Sequence, residues 1–222
     1  MEAAVEATSG TSARVDERIE TDDEGEKQTV SITGEVDMAR DSGRLHVGLD
    51  GTDLHIDQIF ANGKLYVKGV DQSEPETWGY VARDGLQAHH FFRAPGNDPK
   101  HVLWQITAMH NVKKAGEERV NGARTVRYSG DLDIDAATLG LTKEMKDRVL
   151  KEADAPGSTP IARADVWVDD QGRVVRIRMS QGPDSALATV TITLSDLGKP
   201  VETKAPAKAA EVELLSTGLL MG

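Results

Sequence analysis

The sequence predicts a single α+β domain built on one long antiparallel sheet. Apolar and polar residues alternate over most of the first 70 residues and again near the end, turn motifs separate these runs, and two stretches change to a helical period. Aromatic residues are 4% of the chain and hydrophobic residues 38%, so the core must consist mainly of aliphatic side chains, which favours strands. A length of 222 residues suits one β-rich domain.

The first 70 residues predict a short helix followed by a meander of strands. Residues 1–13 are rich in Ala and Glu and end in small polar residues, which is typical of a short helix or arm. Between residues 14 and 70 the hydrophobic period becomes two, which predicts four consecutive half-buried strands. Asn62-Gly63 supplies the positive φ of a tight hairpin between two of them. The apolar positions of these strands are Val30, Ile32, Val36, Leu45, Val47, Leu49, Leu54, Ile56, Leu65 and Val67.

Residues 71–98 are interrupted by proline, and only Trp78-Gly79-Tyr80 indicates a short strand there. Pro99 fits the first position of a helix. The apolar stripe of that helix consists of Val102, Leu103, Ile106 and Met109. This helix is expected to lie on the sheet.

The second half predicts more strands and one further helix. Strand residues flank an Asn121-Gly122 turn, and the apolar period over 135–153 is helical. Three final strands are predicted over residues 161–169, 173–181 and 186–197.

The domain organisation follows from these elements and from the composition of the chain end. We predict an N-terminal helix or arm over residues 1–13, one folded domain over 14–198, and a C-terminal tail over 199–222. The tail begins with Lys, Pro and Ala residues in the proportions of a linker.

The charge and the cysteine content exclude several functions. The formal net charge is −11, and the excess of acidic residues is concentrated in residues 1–60. Nucleic-acid binders need clustered basic residues, so a nucleic-acid partner is not expected. The chain has no cysteine, which excludes disulfides, thiolate nucleophiles and cysteine-bound zinc, and leaves the redox compartment open.

Motifs for catalysis, cofactors and metals are missing from the sequence. It contains neither a nucleophile elbow nor a phosphate-binding glycine loop, so we predict no catalytic residue and no cofactor. Asp53, His55 and Asp57 share one face of a predicted strand, but alternating polar residues are what a solvent-facing side requires. We therefore predict no metal site. Arg173, Arg176 and Arg178 form a basic trio that suits either an anionic head group or a solvated face.

Three segments of the sequence resemble a known family. They are NGARTVRYSGDLDI (121–134), ADVWVDDQGRVVRIRM (164–179) and TVTITLSDLGKPVETKAP (189–206). Over about residues 28–206 the chain is similar to the actinobacterial LppX/LprG-type cell-envelope lipoproteins. The resemblance implies a LolA-like fold, in which helices cover the concave face of a curved antiparallel half-barrel, and a cavity between them that binds acylated lipids.

The resemblance also implies a partner and a location. The partner is a lipid or another apolar ligand, and the expected lining of the cavity is Leu45, Val47, Leu54, Ile56 and Val67 from the strands, with Val102, Ile106 and Met109 from the covering helix. Family members begin with a signal peptide and a lipobox cysteine. This sequence shows neither, so either it starts after the acylated cysteine or the membrane anchor is not part of this protein. We expect the first, with a lipid anchor ahead of Met1 and an extracytoplasmic location.

Two alternatives to a lipid carrier stay open at the level of sequence. A regulatory, sensor or protein-interaction module of the same fold would have a filled core and would bind a protein at its surface. An enzyme is the third possibility, because the chain has 37 acidic residues and some carboxylates lie near one another by chance. The sequence does not fix the oligomeric state.

Overall fold

The computed structural model describes residues 1–23, 25–53, 55–69, 74, 76–82, 99–133, 136, 139, 143, 146–147, 151, 162–181 and 186–212. Within these residues twelve strands form one open, curved sheet and two helices lie against one of its faces. The predicted helix over 135–153 falls largely outside the described residues, and Leu54 falls outside them entirely.

The two helices are α1 (Glu2–Ser9) and α2 (Pro99–Thr107). The strands are β1 (Ser12–Asp23), β2 (Glu26–Asp37), β3 (Ser42–Leu49), β4 (His55–Ala61), β5 (Lys64–Lys68), β6 (Gly79–Ala82), β7 (His110–Val120), β8 (Ala123–Leu132), β9 (Ala162–Asp169), β10 (Val174–Gln181), β11 (Ala186–Ser195) and β12 (Ala210–Glu211).

The order of strands across the sheet is β12-β6-β5-β4-β3-β2-β1-β11-β10-β9-β8-β7. The predicted meander is confirmed as β2 to β5, and the three predicted C-terminal strands are confirmed as β9 to β11. Strand β1 joins the two halves because it pairs with β2 on one side and with β11 on the other. All pairs are antiparallel except β12 with β6, which is parallel.

Two hairpins form at the Asn-Gly pairs that the sequence indicates. Asn62 and Gly63 have φ values of 55° and 69°, and Asn121 and Gly122 have 49° and 82°. Two successive positive φ values are the geometry of a type I′ turn, whose twist matches that of the flanking strands. These turns fix the registers of β4 with β5 and of β7 with β8.

The predicted short N-terminal helix is confirmed as α1, which is fastened to the sheet. The Val174 backbone N–H donates a hydrogen bond of 2.8 Å to Thr8 Oγ1, and Val5 and Thr8 are buried. Helix α2 begins at the predicted Pro99 but ends at Thr107, because the chain turns to start β7 at His110. Met109 therefore lies in the connection after the helix rather than on it.

The segment after β11 runs to the edge of the sheet at β6. Ser12 Oγ donates a hydrogen bond of 2.5 Å to the Lys199 carbonyl, and Ala210 and Glu211 pair with Gly79 and Tyr80 of β6. A segment with linker composition thus ends as the edge strand β12. The predicted division into residues 1–13, 14–198 and 199–222 stays a prediction.

Candidate functional site

We call the side of the sheet that carries α1 and α2 the inner face. Because side chains alternate along a strand, every second residue of each strand points toward the helices. These inward residues and the helices form one continuous aliphatic cluster. Its most buried strand members include Val15, Ile32, Ile56, Leu65, Val166, Ile177, Ile192 and Leu194.

Seven of the eight predicted cavity residues lie together in this cluster. Each is at most 8% exposed: Leu45, Val47, Ile56, Val67, Val102, Ile106 and Met109. The eighth, Leu54, lies outside the described residues. The strand registers pair Val47 with Ile56 and place Leu45 beside them, so the inward assignment made from alternation holds. The lining of a lipid cavity by these residues stays a prediction.

The helices cover the cluster with a few aliphatic side chains. Helix α2 directs Val102, Leu103 and Ile106 inward, each with no measurable exposure. On the other side of α2, Trp104 is 49% exposed and contacts the His101 ring edge-on at 6.3 Å. The amphipathic division of α2 is what a covering helix requires, because only one side of it meets the sheet.

Three long polar side chains are buried among the apolar ones, and the sequence did not single them out. Glu17 in β1 is fully buried, Gln58 in β4 is 1% exposed, and Gln105 in α2 is 4% exposed. Glu17 and Gln58 each stand two residues from inward aliphatic or aromatic side chains in their strands, as in Ile56-x-Gln58-x-Phe60. That spacing is the signal that identifies them: a polar residue in phase with the apolar set.

The opposite, outer face of the sheet carries charged and polar groups. It contains an open groove of about 430 Å³ whose lining includes Arg14, Glu35, Arg44 and Trp78. Charges of both signs line this groove, so its walls do not suit acyl chains. The detected groove and the aliphatic cluster therefore lie on opposite faces of the same strands.

Asp57 lies on the outer face, as the alternation of β4 predicts, and binds two basic side chains. Its carboxylate is 2.9 Å from His46 Nδ1 and 3.1 Å from Lys68 Nζ. Burial acts to raise the pKa of Asp57, but the hydrogen bonds and charges of His46 and Lys68 outweigh it and hold the pKa below its ordinary value. The ammonium group beside Asp57 makes this position unfavourable for a metal cation.

The predicted basic trio does not act as one group. Arg173 is bound to Asp169 through both Nε and Nη2, at 3.0 and 2.8 Å, in the turn that joins β9 to β10. Arg176 Nε donates to Thr193 Oγ1 at 3.1 Å, and its guanidinium lies 5.8 Å from the Trp167 ring centre. Arg178 is exposed on the outer face. Arg173 thus stabilises a turn, which weakens the case for a head-group site at the trio.

The described part of the chain lacks two features. It holds no cluster of three or more His, Asp or Glu side chains able to bind a metal ion. It also holds no helix long and apolar enough to cross a bilayer.

The chain matches one family model and is similar to solved structures of that fold. The model of the LppX_LprAFG lipoprotein family matches residues 2–203. The crystal structure of lipoprotein LppX from Mycobacterium tuberculosis superposes with a TM-score of 0.59 at 16% identity, over 91% of this chain and 95% of that one. LprF from Mycobacterium bovis gives 0.52 at 16% identity, over 93% and 95%. These two structures confirm the predicted fold.

Two curated relatives have a named activity, and both are lipoarabinomannan carrier proteins LprG. The chain is 27% identical over 168 residues to the lipoarabinomannan carrier protein LprG of Mycobacterium leprae. The match covers 74% of this chain and 62% of the relative, so the chain spans less than two thirds of that protein's length.

Proposed function

From membership of the LppX_LprAFG lipoprotein family, to which this chain belongs, we propose that the protein is a lipid carrier of the cell envelope. It holds acyl chains between the inner face of the sheet and helices α1 and α2. The LprG relative, whose name describes a lipoarabinomannan carrier, supports a lipid as the ligand. An extracytoplasmic location at the cell membrane is part of the same proposal.

The observation that carries the proposal is the continuous aliphatic inner face. Mid-sized side chains from both halves of the sheet meet there beneath two short helices, with little aromatic bulk. Burial of apolar carbon is favourable by ~0.8 kcal/mol per methylene, so a chain of about 14 methylenes gains roughly 11 kcal/mol in such an environment. A gain of this size is enough to offset displacement of part of the packing between helix and sheet.

The two helices are the elements that move in this mechanism. Helix α1 has eight residues and α2 has nine, and helices of this length depend on tertiary packing rather than on their own stability. An acyl chain on the inner face replaces the apolar contacts that the helices make with the sheet. The helices then separate from the sheet at little cost in free energy. Loading and release then require opening of the cover and no covalent chemistry.

Titration with a fluorescent fatty-acid probe tests the proposal. The wild-type protein should bind the probe saturably. Val47→Trp places an indole on the inner face next to Ile56 and should weaken binding at least tenfold, and Val67→Trp on β5 should act in the same way. The matched control is Thr33→Trp, which adds the same ring at an exposed position of β2.

The control separates occlusion of the cavity from a general effect of an added tryptophan. Thr33→Trp should bind the probe like the wild type. Absence of saturable binding by the wild-type protein would contradict the carrier proposal. Equal binding by the wild type and both inner-face variants would contradict the proposed place of the cavity.

A regulatory or protein-interaction module is the second candidate function. The observation in its favour is the outer groove, where Trp78 stands beside charged side chains of both signs. This candidate would be supported if the wild type retains a protein partner and Arg44→Glu loses it. Binding of the fatty-acid probe should be unchanged in that variant.

A further inference from the structure

We infer that the Gln58 side chain recognises a hydrogen-bonding group at the root of the acyl chains, such as an ester carbonyl or a hydroxyl. This inference rests on the proposed function and narrows its ligand class. The preferred ligand is an acyl lipid whose polar linkage enters the cavity, rather than a plain hydrocarbon.

The position of Gln58 is the first argument. It lies in β4 between Leu45 of β3 and Val67 of β5, its direct partners in the sheet, and both partners belong to the aliphatic cluster. Its neighbours Asp57 and Ile59 point to the outer face, so the Gln58 side chain projects to the inner face together with Ile56 and Phe60. A primary amide with two donors and one acceptor is thus held among hydrocarbon side chains.

The second argument is that this amide has no partner in the described structure. Gln58 is 1% exposed, and among the described residues neither Nε2 nor Oε1 has a hydrogen bond. A buried polar group without a partner costs about 1–3 kcal/mol. A leucine or methionine at this position would have a similar volume and would not incur this cost. The ligand-free protein therefore keeps the penalty of the unpaired amide, and a hydrogen-bonding group of the ligand removes it.

The residues that lie beside Gln58 along the inner face are apolar. The row of residues that runs from Gln58 across the strands continues through Leu45, Gly34 and Val15. Gly34 adds no side chain to the inner face, because a Cβ atom there would lie 2.9 Å from the Leu45 Cα and would overlap the Arg44 carbonyl. An acyl chain along this row contacts Leu45 and Val15, and its polar root then lies at Gln58.

Competition with two ligands of matched chain length tests the inference. Dipalmitoylglycerol and hexadecane each displace the fluorescent fatty-acid probe from the wild type and from Gln58→Leu. We expect the substitution to raise the half-displacing concentration of dipalmitoylglycerol about tenfold, the value of one hydrogen bond. The value for hexadecane should stay unchanged or fall. The ligand-free variant should melt at or above the wild-type temperature, because the unpaired amide is gone.

Further variants keep the test decisive. Gln58→Met serves in place of Gln58→Leu if the branched side chain prevents folding, with the same expectation. The control is Gln171→Leu, which removes an exposed glutamine from the turn between β9 and β10 and should leave both competition curves unchanged. A wild type that does not bind the probe overturns the proposed function together with this inference. The inference alone is overturned if the wild type binds the probe but the substitution changes the half-displacing concentrations of both competitors equally, or changes neither.

Discussion

The two faces of the same sheet differ sharply, and β4 shows the difference within seven residues. Ile56, Gln58 and Phe60 point inward and are at most 4% exposed, whereas His55 and Asp57 point outward to solvent and to other charged groups. Both sets belong to one backbone with one register. Alternation alone therefore separates an aliphatic surface from a surface fit for water.

This difference indicates where the free energy of folding and of binding is located. The inner face removes aliphatic area from water, which stabilises the fold in proportion to the area buried. The outer ion pairs, such as Arg44 with Glu35 at 3.1 Å, join side chains that are 65% and 38% exposed. Pairs of this kind are screened by solvent and contribute at most about 1 kcal/mol each. Substitutions on the inner face should therefore dominate both stability and ligand binding.

The largest expected effect comes from an isoleucine pair on β4 that reports on both faces. Ile56→Ala should lower the free energy of unfolding by about 2–5 kcal/mol, because it leaves a cavity in the aliphatic cluster. Ile59→Ala, on the outer side of the same strand and half-buried, should cost markedly less. Urea unfolding of both variants measures the difference. Equal losses would mean that the inner face is no better packed than the outer one.

A smaller effect is expected where α1 is fastened to the sheet. Thr8→Val keeps the shape of the side chain but removes the oxygen that accepts the Val174 N–H. Val174 is fully buried, so its amide is left without an acceptor, and the protein should lose about 1–3 kcal/mol. Hydrogen exchange of the Val174 amide should also become faster. An unchanged unfolding curve would show that α1 contributes little to closure of the cover.

A still smaller effect is expected at Asp57 on the outer face. Its pKa is below the ordinary value, so its ionised form stabilises the fold at neutral pH, and this contribution is lost as the pH falls through the lowered pKa. Asp57→Asn should cost less than about 1 kcal/mol at pH 7, since the group is partly exposed. The difference between wild type and variant should shrink in acid. A difference that grew in acid would contradict the assigned ion pairs.

The smallest effect is expected at Glu117 on the edge strand β7. Hydrogen bonds from Lys114 and Arg124, at 2.7 and 2.6 Å, lower the pKa of this carboxyl to about 2. The NMR titration of its carboxyl carbon should therefore have a midpoint near pH 2, and Arg124→Gln should raise that midpoint. Probe binding should not change, because β7 lies at the edge farthest from the predicted lining strands. A midpoint in the ordinary glutamate range would contradict the ion pairs.

Alternation and turn chemistry were enough to predict most of the sheet and the inward orientation of its aliphatic residues. Strands β2 to β5 carry a regular period of two and clear hairpin signals, and their inward residues are confirmed. Strand β7 lacks that period because it is a mostly exposed edge strand with two irregularities in its register, so it was not recognised as a long strand. In β1 the polar Glu17 stands between the inward residues Val15 and Ile19, so alternation does not show which side of this strand is buried.

Other features depend on contacts between distant parts of the chain. The pairing of β1 with β11 joins residues more than 160 positions apart, and no local pattern encodes it. The parallel pairing of Ala210 with Gly79 is of the same kind and lies in a segment whose composition indicates a linker. Gln58 was missed because its polarity predicts the outer face, while its phase with Ile56 and Phe60 places it on the inner face.

The most direct test of the carrier proposal is extraction of the purified protein with organic solvent and identification of the extract by mass spectrometry. The account predicts an acylated lipid in near-stoichiometric amount from the wild type, much less of it from Val47→Trp, and an unchanged amount from Thr33→Trp. A wild-type extract without lipid, from protein that also fails to bind the fatty-acid probe, would contradict the account.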